Sequence, residues 1–74
     1  MAAVLHLLKG ADASLARAVL DRQLREGDRV TVVLLPGSAV PDLPAGVQMR
    51  RLNGDLTYGQ LVDLIFEVDQ VVTW

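Results

Sequence analysis

Arg29-Val30-Thr31-Val32-Val33-Leu34-Leu35 is the stretch that decides the fold. It is β-branched and mostly apolar, without the polar alternation of a strand that has one wet face. Such a run reads as a strand buried on both faces, the interior strand of a sheet covered by helices. Pro36-Gly37 ends it. Before it, Ala13 to Glu26 predicts a helix, with Asp12 and Ser14 as candidate N-caps and Gly27 as the C-terminal stop. Leu15, Ala18, Val19 and Arg22 share one face of that helix, and Leu20 and Leu24 widen it. Still earlier, Val4 to Leu8 is a short apolar run closed by Lys9-Gly10, which reads as a second buried strand.

Beyond Pro36 the pattern weakens. Pro41 and Pro44 leave room for no regular helix between Ser38 and Ala45. Gly46 to Leu52 is a third strand candidate interrupted by Arg50 and Arg51, and Asn53-Gly54-Asp55 is a turn. The connection before this strand is about as short as a parallel crossover permits. Thr57-Tyr58-Gly59-Gln60 matches a capping box, with Leu56 and Leu61 placed as a hydrophobic staple. Leu61, Val62, Leu64, Ile65 and Val68 then form a second helix, and Val71 to Trp74 a last strand. The order β-α-β-loop-β-α-β predicts one α/β domain over residues 1–74. Its sheet is small, mostly parallel, of about four strands, and flanked by helices.

Composition narrows the function. With 74 residues and no cysteine, the chain has no disulfide, thiolate metal site, cysteine nucleophile or persulfide carrier of its own. Its hydrophobic fraction of 51% exceeds what so short a chain buries in one core, which points to an oligomer interface. A net charge of −2 argues against direct nucleic-acid binding through bulk charge. No apolar run is long enough to span a bilayer, and no basic segment precedes the first apolar run, so no membrane association or leader is expected and the cytoplasm is the default location.

Candidate functional residues are few. His6 is the only histidine and lies among leucines, with no nucleophile motif to serve; a packed or partner-contacting role is expected. Arg50 and Arg51 project to opposite faces of their strand, one of them a candidate phosphate or partner contact. Asp63 and Glu67 share a helix face. Trp74 is the only tryptophan, and a ring of that size is expected to dock on the fold or on a partner. No catalytic, cofactor-binding or metal-binding residue is assigned. A small enzyme or anion-binding module would require His6, Gly10 and Arg50 or Arg51 to converge in one pocket.

The placed elements resemble the DsrH/TusB group of the DsrE-like sulfur-relay proteins. The resemblance rests on Leu5-His6, Glu26-Gly27-Asp28, Leu34-Leu35-Pro36-Gly37 and Leu52-Asn53-Gly54-Asp55-Leu56, the last similar to a Leu-x-x-Asp-Leu segment. It continues through Tyr58, Leu61-Val62-Asp63-Leu64 and Val72-Thr73-Trp74. The chain departs from the group in its shortness. The helix after strand two is reduced to the proline loop, the stretch between the Asp-Leu segment and the tyrosine is absent, and Leu61 stands where an aromatic is usual. The resemblance implies a truncated DsrE-like fold. It also implies a non-catalytic subunit of a relay serving tRNA wobble-uridine 2-thiolation or sulfur oxidation, lacking its own persulfide cysteine. The implied partners are cysteine-bearing DsrE/TusD-like and TusC-like subunits, in a homo- or hetero-oligomer. His6, Arg50, Tyr58 and Trp74 are the expected interface or partner contacts. The alternative is a homo-oligomeric protein of the same fold with a binding role outside sulfur transfer.

Overall fold

The computed structural model describes residues 2–9, 13–36 and 43–74. Its elements are β1 (Ala3–Leu8), α1 (Ala13–Arg25), β2 (Arg29–Leu34), β3 (Gln48–Arg51), α2 (Tyr58–Glu67) and β4 (Gln70–Thr73). The sheet has the order β3-β2-β1-β4, and every pairing in it is parallel. The small α/β architecture expected above is therefore the observed one, including the third strand, which spans Gln48–Arg51.

The two continuous apolar runs form the two interior strands. In β1 and β2 alternate residues face opposite helices, and both sets must be apolar. Val30, Val32, Leu34 and Leu8 pack with Ala16 and Leu20 of α1. Leu5 and Val33 pack with Leu61 of α2 and with Leu52 and Leu56 of the preceding turn. Leu5, Val32 and Val33 are completely buried, each such side chain stabilising the fold by about 1.5–3 kcal/mol. The helices lie on opposite faces because the chain reverses direction across the sheet. It steps one way through α1, from β1 to β2, and returns through α2, from β3 past both interior strands to β4. Right-handed crossovers in opposite directions place their helices on opposite sides.

Local sequence sets the ends of both helices. Asp28 donates its backbone N–H to the Gln23 carbonyl and Gly27 donates to that of Leu24, both at 3.1 Å. This pair of bonds is a Schellman stop, and it requires the left-handed backbone that Gly27 adopts at φ 84°. The capping box on α2 is present in both directions: Thr57 Oγ1 accepts from the Gln60 backbone, and Gln60 Oε1 accepts from the Thr57 backbone. Leu56 and Leu61 are both buried in the same cluster, as a staple requires. The N-cap candidate Asp12, the glycine Gly10 and most of the proline loop lie outside the described residues, as does the side chain of Ser14.

The inward face of α1 differs from expectation. On α1 the face against the sheet is Ala16 and Leu20, with half-buried Val19, Gln23 and Leu24, while Leu15 is 62% exposed and Ala18 also faces water. Two apolar stripes compete on this helix. The sheet takes the one whose small Ala16 permits close approach and whose Leu20 and Leu24 reach the core. On α2, Val62 is 47% exposed and does not belong to the core face formed by Leu61, Leu64, Ile65 and Val68. Small boundary shifts accompany this difference: α1 stops at Arg25, α2 at Glu67, and β4 begins at Gln70.

Candidate functional site

His6 sits at the centre of β1, paired to Val32 on one side and Val72 on the other. Its side chain faces α1 and is 1% exposed. Trp74 Nε1 donates to His6 Nδ1 at 2.9 Å, and His6 Nε2 lies 2.6 Å from Gln23 Oε1 on α1. An indole nitrogen is only ever a donor, so Nδ1 is the unprotonated nitrogen and the proton is on Nε2, donated to Gln23. The imidazole is therefore neutral and held in one tautomer. The ring centroids are 6.1 Å apart with planes 17° from parallel. Because the hydrogen bond joins ring edges, the two rings lie side by side rather than overlapped. Burial pushes the His6 pKa below its ordinary value, and the Gln23 hydrogen bond opposes that only in part. Trp74 also donates its backbone N–H to the Leu7 carbonyl at 2.9 Å and packs on the α1-side core.

The opposite sheet face carries Arg50. Arg50 pairs with Val33 and Arg51 with Leu34, so the two arginines do project to opposite faces. Arg50 and Gln48 of β3 form one wall of a groove of about 290 Å³, and Gln60, Asp63 and Glu67 of α2 form the other. Thr31 lies among its lining residues and is 7% exposed. Asp55 also lines the groove, but its carboxylate accepts the Arg51 backbone N–H at 3.0 Å.

Tyr58 stands on the other flank of α2. Tyr58, Val62 and Phe66 recur every four residues and are 64%, 47% and 84% exposed, so they form one stripe along the helix. The polar flank of α2 faces β3, which turns this apolar stripe toward the β4 edge. There Val71, on the same sheet face, is 38% exposed. No strand covers the outer edge of β4 among the described residues.

The four residues singled out from sequence thus fall into separate places. His6 and Trp74 meet on the α1 face, while Arg50 and Tyr58 lie on the α2 face, on opposite flanks of the helix. His6 and Arg50 share no pocket, because the sheet stands between them, whereas Arg51 projects to the same face as His6 and Gly10 lies outside the described residues. Among the described residues no group of three or more His, Cys, Asp or Glu side chains can hold a metal ion, and no helix is long and apolar enough to cross a membrane.

Several contributors were not singled out from sequence. Gln23, which completes the His6 network, lies in a helix whose inward face was assigned to other residues. Phe66 carried a signal in its four-residue spacing from Tyr58 and Val62. Asp28 and Asp69 accept the backbone N–H groups of Ala2 and Ala3, at 3.1 and 2.8 Å, and anchor the start of β1; nothing local in the sequence marks those long-range bonds. Comparison with the sequence patterns of known protein families, with curated proteins and with solved structures finds no match to this chain.

Proposed function

We propose that this chain is a non-catalytic partner subunit that docks on another protein through the Tyr58-Val62-Phe66 flank of α2 and the neighbouring edge of β4. The observation that carries this is Phe66, 84% exposed and in line with two further exposed apolar side chains. An aromatic stripe left in water is what an interface core supplies, since buried aromatic anchors dominate binding energy. The assembly is a sulfur relay of the DsrH/TusB kind, as the sequence resemblance implies, serving wobble-uridine 2-thiolation or sulfur oxidation. Without any cysteine the chain holds no persulfide sulfur, so the sulfur-bearing thiol belongs to a DsrE/TusD-like partner, alongside a TusC-like one. A cytoplasmic location accords with a cysteine-free chain.

A second arrangement is favoured by the β4 edge. Gln70-Val71-Val72-Thr73 contains no charge and no proline, the usual devices that blunt an exposed strand. Two copies of the chain can pair such edges across a two-fold axis, giving a homo-oligomer with a binding role outside sulfur transfer.

Affinity purification of the tagged chain from its native host, followed by mass determination in solution, tests both. A cysteine-bearing DsrE-like chain in fixed ratio, lost in Phe66→Asp while melting is unchanged, is the expected result. A discrete homo-oligomer alone supports the second arrangement. A monomer with no partner, or a complex that survives Phe66→Asp intact, overturns docking through this flank.

A further inference from the structure

We infer that the groove between β3 and α2 binds a small molecule bearing one carboxylate and two cationic groups, a basic amino acid such as lysine or arginine. This goes beyond the docking proposal, because the groove lies on the opposite flank of α2 from the apolar stripe. Arg50 stands on the β3 wall and Asp63 and Glu67, one helical turn apart, on the α2 wall. None of the three has an ion-pair or hydrogen-bond partner among the described residues. Opposite charges that share a groove and leave one another unpaired are available to a ligand that spans the gap.

The floor supplies an independent observation. Thr31 is more than nine-tenths buried, yet its side-chain hydroxyl has no hydrogen-bond partner among the described residues. No fully enclosed side-chain polar atom is left unpaired, so the Thr31 hydroxyl keeps its contact with solvent, and Thr31 lines the groove. A hydroxyl set below charged walls offers a directional hydrogen bond to whatever lies there. At about 290 Å³ the groove is at the small end of ligand sites, which suits an amino acid and not a nucleotide.

Charge selects within that class. The lining carries one guanidinium and three carboxylates, a net charge of −2 (one positive, three negative); Asp55 holds the Arg51 backbone N–H, which leaves Asp63 and Glu67 as the carboxylates without a partner among the described residues. A basic amino acid carries the complementary set: its carboxylate meets Arg50 as a forked ion pair, and its two cationic groups meet Asp63 and Glu67. A diamine lacks the carboxylate and faces Arg50 as a like charge. A simple carboxylate faces two acidic side chains.

Titration of the 74-residue chain with free lysine, followed through backbone amide NMR signals, tests this. Lysine is expected to shift the Gln48, Arg50, Gln60 and Asp63 signals saturably; putrescine, which loses one charge-assisted pair, is expected to bind about tenfold more weakly, and acetate, which loses two, more weakly still. Arg50→Gln is expected to abolish the preference for lysine over putrescine. Asp63→Asn combined with Glu67→Gln is expected to weaken both ligands, with the remaining amide spectrum showing that each variant is folded. Absence of a saturable shift at these residues, equal response to lysine and putrescine, or an unchanged preference in Arg50→Gln overturns the assignment.

Discussion

The indole N–H of Trp74 donates to Nδ1 of His6 at 2.9 Å, and this contact determines which nitrogen of the histidine carries the proton. It joins β4 to β1, and Gln23 extends it to α1. Three elements thus meet at one imidazole inside the α1-side layer.

Replacing Trp74 by Phe keeps an aromatic ring on the core but removes the donor. His6 Nδ1 is then buried without a partner, which costs about 1–3 kcal/mol. Trp74→Ala adds lost packing and is expected to destabilise more. Urea denaturation of both variants checks the order; a Phe variant as stable as the parent would show that the bond contributes nothing net.

Stability should depend on pH through the same histidine. Its folded pKa lies below the ordinary 6.5, so in acid the unfolded chain takes up a proton that the folded chain refuses. A proton on Nδ1 would point at the indole N–H. Stability is therefore fully present above about pH 6.5 and is lost as the pH falls through the depressed folded value. Melting temperatures across this range check the sign. His6→Gln should flatten the acid limb, because glutamine does not titrate.

The two leucines of α1 provide a direct contrast. Leu20 is 1% exposed and Leu15 62%. Leu20→Ala is expected to cost about 2–5 kcal/mol, whereas Leu15→Ala should stay within about 0.5 kcal/mol. Equal effects in denaturant titration would mean that the helix presents its other stripe to the sheet.

Thr57→Ala removes the side-chain half of the capping box on α2, with an expected loss of about 1 kcal/mol. Thr57→Ser should restore most of it, since the hydroxyl is retained. Thermal unfolding of the pair distinguishes the cap from a general effect of substitution at the turn.

The alternation of apolar strands with capped helices was legible because each signal is local. The β-branched run at Arg29–Leu35, the stop at Gly27 and the Thr57/Gln60 box each involve residues close in sequence. Arg50 and Arg51 could be assigned to opposite faces because strand periodicity admits no other answer. The inward face of α1 was not legible, since its two apolar stripes differ little in composition. Ala16 shows why: a small residue earns its place by how closely the helix approaches the sheet, a property of two elements and not of one.

By itself, then, the sequence determined the class of fold, the glycine stop of α1, the capping box of α2 and the absence of any thiol chemistry. Those follow from backbone preference, side-chain period and residue count. The tertiary structure alone decided that His6 meets Trp74 and Gln23, that Arg50 shares a groove with Asp63 and Glu67, and that Tyr58, Val62 and Phe66 face water beside an open edge. These relations depend on strand order and helix rotation. Both are set by which packing of the whole chain buries the most apolar surface while leaving no polar group unpaired in the interior.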